Sequence, residues 1–246
     1  MWTDIKITMI FLTLLMLTLL SACGEEERVN EAPQIIDSEV TDPGVVVDIE
    51  GNIYKTIVIG TQTWLAENLK TTILNDGTPV PQISDVTQWG RLSSPGCCWY
   101  SNNESANKAT HGALYNWFAV QTGKLAPVGW HIPTREEWAA LIDYLGGKQT
   151  SGGKMKEAGL VHWKAPNSEA TNSSGFSAFG SGARYGFCSG FHGLGERAFF
   201  WTATSSDGIQ DIARYLHLDF NSGVIADSTE VPGYKVFGYS VRCVKD

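Results

Sequence analysis

Basic residues are scarce in this chain and never cluster. It has 18 Lys+Arg against 26 Asp+Glu, a formal net charge of −8, and no two basic side chains are adjacent. Nucleic acids and anionic membrane surfaces are met by clustered cations, so the sequence argues against both. Charge of either sign is thin at 18 %, while Gly numbers 26 and Trp 9. That balance is opposite to disorder and describes a globular, loop-rich, aromatic-rich chain. No internal repeat at a fixed period is present. The five histidines, His111, His131, His162, His192 and His217, show no His-Glu-x-x-His or other metal-ligand spacing.

A long apolar run is also missing, with one informative exception. Ile7 to Leu20 is an unbroken stretch of Ile, Leu, Met, Phe and Thr behind Lys6. It falls short of the ~20 residues that span a hydrocarbon core and fits the apolar segment of an export signal. Leu20-Ser21-Ala22-Cys23 follows directly, the arrangement in bacterial lipoprotein signals. Small residues before the cleavage point admit the peptidase, and the Cys23 thiol takes the diacylglyceryl group. Residues 1–22 are therefore read as a lipoprotein signal peptide, with Cys23 as the lipidation site and the membrane as a partner through that anchor. Glu25-Glu26-Glu27 resembles the acidic export tag of surface lipoproteins in the Bacteroidetes group, or is simply part of a solvated tether. The chain from 23 to 43 is polar, contains Pro33 and Pro43, and reads as a flexible spacer. The expected location is the bacterial outer membrane, at the cell surface if the acidic tag is read.

Residues 44–246 are enough for one core. The strongest local signal is Gly129 to Gly147, GWHIPTREEWAALIDYLGG. Thr134 fits an N-cap and Glu137 completes a capping box; Trp138, Leu141, Ile142 and Leu145 then define one apolar helix face. Gly146-Gly147 offers the left-handed residues at which a helix ends. Ala113 to Val120 reads as a second helix, and Gly153 to Ala158 as a short third turn. Val45–Ile49 and Ile53–Ile59 read as a hairpin across Glu50-Gly51-Asn52, with Gln62–Leu65 as a third strand. Ala213–Phe220, Val224-Ile225 and Gly238–Val244 read as closing strands, the last lying beside the first hairpin. From Trp163 onward Gly, Ser and Asn dominate, with Phe176, Phe199, Phe200 and Trp201 as pins, which predicts a long irregular loop region.

Beyond Cys23 four cysteines remain, Cys97, Cys98, Cys188 and Cys243, an even number in an exported chain. Disulfides are the expectation. A bridge within the adjacent pair is strained, and in an extended strand the two sulfurs point to opposite faces. Two pairings remain: Cys98–Cys243 with Cys97–Cys188, which is preferred, and the swap.

Six blocks carry a family resemblance: VDIEGNIYKTIVIGTQTWLAENLKTT, CWYSNNE, GALYNWFAV, GWHIPTREEWAALIDYLGG, ATNSSGFSAFGSGAR and GYSVRCVKD. In this order they resemble the Fibrobacter succinogenes major paralogous domain over nearly all of residues 48–246. Its members are secreted or lipid-anchored proteins without an established activity. The Pro-Thr-x-x-Glu-Trp helix and the closing Gly-Tyr-Ser-Val-Arg also resemble formylglycine-generating enzymes and, more distantly, C-type lectin-like domains. The resemblance implies an α+β, C-type-lectin-like fold: two main helices flanking a small antiparallel sheet, plus the long loop region. It also places the family's Cys before Trp-Tyr and its C-terminal Cys on Cys98 and Cys243, in support of that bridge.

Gly186-Phe187-Cys188-Ser189-Gly190 has the spacing of a nucleophile elbow, but its Gly-rich flanks lack the apolar strand an elbow needs. A free Cys188 would open the alternative of a formylglycine-generating-type enzyme acting on exported polypeptides. Asn167, Glu169, Asn172 and Asp207 lie in loops where lectin-type folds hold Ca²⁺, yet the Glu-Pro-Asn and Trp-Asn-Asp signatures are absent, and no metal or cofactor is expected. Trp89, Trp99, Tyr100 and Trp201 lie in loop-like stretches where an aromatic face stacks on a sugar ring; Trp99, Tyr100 and Trp201 are the ligand-binding candidates. The resulting expectation is a non-catalytic binding or adhesion module for a glycan or surface protein.

Overall fold

Thr134 starts the helix that the sequence marks most clearly. In the computed structural model, which describes residues 44–186, 190–206, 209–228 and 233–246, its hydroxyl accepts from Glu137 N, and the Glu137 carboxylate returns to Thr134 N at 2.8 Å. Trp138 and Leu141 are fully buried, and the chain leaves the helix through Gly146 and Gly147 at φ 96° and 86°. Burying each of these large apolar side chains contributes roughly 1.5–3 kcal/mol.

The first half holds strands β1 (Val45–Val47), β2 (Ile53–Ile59), β3 (Gln62–Leu65), β4 (Cys97–Cys98), β5 (Leu114–Tyr115) and β6 (Trp130–His131). Between them lie helices α1 (Val86–Gly90), α2 (Glu104–His111) and α3 (Trp117–Val120), followed by α4 (Arg135–Tyr144) and α5 (Lys148–Met155). The second half is strand: β7 (Ser181–Tyr185), β8 (Gly190–Leu194), β9 (Arg197–Ser205), β10 (Ile212–Asp219), β11 (Ile225–Asp227), β12 (Gly233–Tyr234) and β13 (Val244–Lys245). One sheet runs β1-β2-β3-β13-β6, so the C-terminus closes the sheet that the first hairpin begins. A second runs β11-β10-β9-β7-β8 with β12 also on β10, and β4-β5 form a small third pair.

This architecture corrects the expected α+β arrangement. The domain is mostly β with several sheets, not two main helices flanking one small sheet, and the lectin-like layout built on that picture goes with it. Four local differences from the expected layout accompany this. In the expected second helix, Leu114–Tyr115 pair with Cys97–Cys98 as strand, and only one helical turn, N-capped by Asn116, remains. The region read as irregular loop holds β7, β8 and β9. Strand β9 is buried on both faces from Ala198 to Thr202, so its sequence carries no alternation. Helix α2 has a single buried residue, Asn107, and thus no apolar stripe to announce it. Helix α5 starts at Lys148, ahead of the expected turn.

Two aromatic cores fill the domain. Trp138 packs on Trp64, Phe176 and Phe200 with ring centroids 4.8, 5.7 and 5.6 Å away. Phe199 stacks on Tyr239 at 4.8 Å, and Trp201 packs on the same ring, tilted by 41°, at 4.4 Å. Inside this packing sit three cations bonded to carbonyls. Arg242 donates to the carbonyls of Leu65, Phe176 and Ser177 and to Asn68 Oδ1. Arg184 donates to those of Ile83, Ser84 and Asp85 and lies over Trp89 at 4.4 Å. Lys156 reaches the carbonyls of Ser168, Asp219 and Ser222 at 2.9, 3.0 and 2.8 Å. Irregular segments expose carbonyls that no ladder satisfies, and these side chains satisfy them.

Candidate functional site

Helix α4 does not lie flush on the second sheet. Between its outer edge, the start of α5 and strands β9–β11 a cleft of about 120 Å³ remains. Trp138, Ile142 and Leu216 form its apolar floor, and the Trp138 indole N–H has no partner among the described residues. Arg135, Lys148 and Arg214 stand around it with Asp143 and Asp227. Lys148 Nζ is tied to Asp227 Oδ2 at 2.6 Å, which closes one end. Arg214 sits where the β9–β10 register shifts between Ala213 and Tyr215. Such a bulge re-aims a side chain, and here Arg214, Tyr215 and Leu216 all line one cleft. Among the described residues neither Arg135 nor Arg214 forms an ion pair; Arg214 Nη1 reaches only the Ser228 carbonyl, at 3.5 Å. Two guanidinium groups above an apolar floor suit a planar carboxylate carried on a ring or short chain.

The aromatic candidates from the sequence separate here. Trp201 is fully buried, packed against Tyr239, with its indole N–H on the Tyr115 carbonyl at 2.8 Å. Trp99 is buried with Nε1 on Gln82 Oε1 at 2.9 Å, though its edge lines a second cleft of about 220 Å³ with Ser84, Cys98 and Asn102. Tyr100 is half-buried, its ring against Phe191 at 5.2 Å, the one of the three that is not buried. Trp89 is fully buried beneath Arg184. Nothing in the composition singles out Arg135, Arg214 and Lys148; the bulge that gathers them depends on strand pairing.

The expected Cys98–Cys243 bridge is absent. Cys97, Cys98 and Cys243 are all buried free thiols. The alternation along β4 explains this: Cys97 enters the core that holds Cys243, while Cys98 turns to the Trp89 side. Burial pushes the Cys98 thiol up to about 11 even though the Arg184 guanidinium lies beside it, and burial raises Cys97 and Cys243 as well. These are inert thiols. The other expected partner, Cys188, lies outside the described residues. The segment between Tyr185 and Gly190 joins two strands, whereas a nucleophile elbow leads into a helix.

In the loops considered for calcium, Asp207 lies outside the described residues. Among the described residues no group of three or more His, Cys, Asp and Glu is placed to hold a metal. Next to Asn167 and Glu169, the loop carbonyls converge on the Lys156 ammonium, which burial pulls down to about 8. His131 is clamped between Asp246 Oδ1 at 2.6 Å and Glu137 Oε1 at 2.7 Å.

Fold and cleft together define a mostly β domain whose irregular segments are locked by internal cations and whose helix–sheet seam opens beside two arginines. The chain belongs to the Fibrobacter succinogenes major domain family, whose model matches residues 57–245. No curated protein and no solved structure matches it.

Proposed function

We propose that this is a lipid-anchored, non-catalytic binding module of a bacterial outer envelope, and that its ligand seats in the cleft beside α4. The observation that carries the reading is the pair Arg135 and Arg214, two guanidinium groups without a carboxylate partner among the described residues, on a chain of net charge −8. A glycan bearing carboxylates, or an acidic segment of a surface protein, supplies what they lack. The anchor part of the reading rests on the run Ile7–Leu20 followed by Leu20-Ser21-Ala22-Cys23. No helix among the described residues is long and apolar enough to cross a membrane.

The test is a glycan array probed with the unlipidated Cys23→Ala chain, comparing acidic with neutral sugars. Each charge-assisted contact is worth ~1.5–3 kcal/mol, so Arg214→Ala should weaken binding roughly 10- to 100-fold. Binding that survives Arg135→Ala and Arg214→Ala together removes the cleft as the site. Metabolic labelling with palmitate, lost in Cys23→Ala, tests the anchor.

A further inference from the structure

The hairpin that opens the domain is turned inside out. Its acids are both held by partners, Asp48 buried and Glu50 half-buried. Asp48 is buried and accepts from Glu50 N, Asn52 N, Asn52 Nδ2 and the Tyr54 hydroxyl, the last at 2.6 Å. Glu50 turns toward the following loop, where it takes the hydroxyls of Thr71 and Thr72 at 2.8 and 2.6 Å. With both carboxylates occupied, three apolar side chains around the turn face water: Val47, Ile49 and Ile53 are 51, 53 and 59 % exposed. Val47 and Ile53 are direct cross-strand partners, so they share one face, and Ile49 caps the turn between them. Single exposed apolar residues are ordinary; three gathered at a tip whose acids are folded away form a contact surface.

The position of this tip in the chain selects its partner. Val47 is the twenty-fourth residue after Cys23. Even fully extended, that length of chain reaches at most about 80 Å, so a weak apolar contact with the anchoring bilayer is made at high effective concentration. The scarcity of clustered cations argues against an electrostatic grip, and none is needed: the tip is apolar, flanked by Lys55 and by a Lys70 paired with Glu67 at 3.3 Å. We propose that the β1–β2 tip, through Val47, Ile49 and Ile53, docks on the lipid surface into which the Cys23 acyl chains insert. The proposal rests on the lipid-anchor reading, not on the ligand cleft. Docked in this way, the hairpin would orient the domain on the lipid surface.

The experiment uses the full lipidated chain in uncharged phosphatidylcholine vesicles, with an environment-sensitive fluorophore on Ile49→Cys and, as control, on Leu160→Cys. Leu160 is 59 % exposed against 53 % for Ile49, and a Cys188→Ser background leaves only the buried native thiols. The expected result is a blue-shifted emission at 49, quenched by nitroxide lipids, with none at 160, and loss of the shift in Val47→Ser/Ile53→Ser. Equal emission at the two positions in chains shown to carry palmitate overturns the docking and leaves the anchor standing. Absence of palmitate on Cys23 overturns the anchor and the docking together, while the cleft is judged by the array alone.

Discussion

Replacing Arg242 by Met tests whether internal cations hold this fold. The guanidinium is fully buried, makes no ion pair among the described residues, and satisfies four acceptors: Asn68 Oδ1 at 2.7 Å and the carbonyls of Leu65, Phe176 and Ser177 at 2.8, 2.9 and 3.0 Å. Charge-assisted bonds of this kind contribute ~1.5–3 kcal/mol each, so the four together amount to roughly 6–12 kcal/mol. Burial opposes them: it pulls the group from 12.5 down to about 9, which corresponds to roughly 5 kcal/mol. Met fills most of the volume and keeps the contact with Phe176, now 4.5 Å from the guanidinium carbon, but donates nothing. The acceptors that remain are mostly backbone, which no substitution removes. The difference predicts a loss of about 4 kcal/mol, a large share of a typical 5–15 kcal/mol. Arg242→Lys keeps the charge but offers its donors from one nitrogen, and should lose about half as much. Urea unfolding followed by tryptophan fluorescence gives both values, provided the slope is unchanged. An Arg242→Met midpoint at or above that of the natural chain would refute the reasoning and show that desolvation outweighs the carbonyl bonds.

Other expectations follow from single contacts. His131 is opposed by burial, but its bonds to Asp246 and Glu137 prevail and raise it above 6.5. The clamp therefore contributes fully below pH 6.5 and is lost as pH rises through the raised value. Glu137, raised by burial but lowered more by Thr134 and His131, contributes above 4.5 and fades as pH falls through its lowered value. Melting temperature against pH should thus lose part of its alkaline fall in His131→Gln; an unchanged profile argues against the clamp. A Cβ on Gly152 would stand 2.6 Å from the Gly223 carbonyl, so Gly152→Ala should cost about 2 kcal/mol or more despite its better helix propensity, measured by the same urea titration. Gly77→Ala, with open space but φ 87°, should cost about 1 kcal/mol. Cys97, Cys98 and Cys243 should resist a thiol reagent at pH 8 in the folded chain and react once it is unfolded. A non-reducing peptide map showing Cys98 joined to Cys243 would contradict this.

The legible parts of the fold are those whose signal is local. The Thr134 capping box, the Trp138–Leu145 apolar face and the Gly146-Gly147 exit all stand as written, because a helix makes its own hydrogen bonds within a dozen residues. The first hairpin and the Gln62–Leu65 strand were likewise readable from β-rich runs separated by Gly and Asn. Ala113–Val120 was not: its apolar residues suit either structure, and pairing with Cys97-Cys98 decided for strand at Leu114–Tyr115. The cleft was invisible for the same reason. Arg135 and Arg214 lie 79 positions apart and meet only through α4, β10 and a register shift.

By its order of residues alone this chain determined its family and the capped helix α4, since both are written in neighbours along the backbone. Tertiary structure alone decided that the Gly- and Ser-rich half is sheet, that Cys98 and Cys243 lie in different clusters, and that Arg242, Arg184 and Lys156 turn inward. The reason is that strand pairing and carbonyl satisfaction are settled by whichever segments arrive from far along the chain, and no local pattern records which those will be.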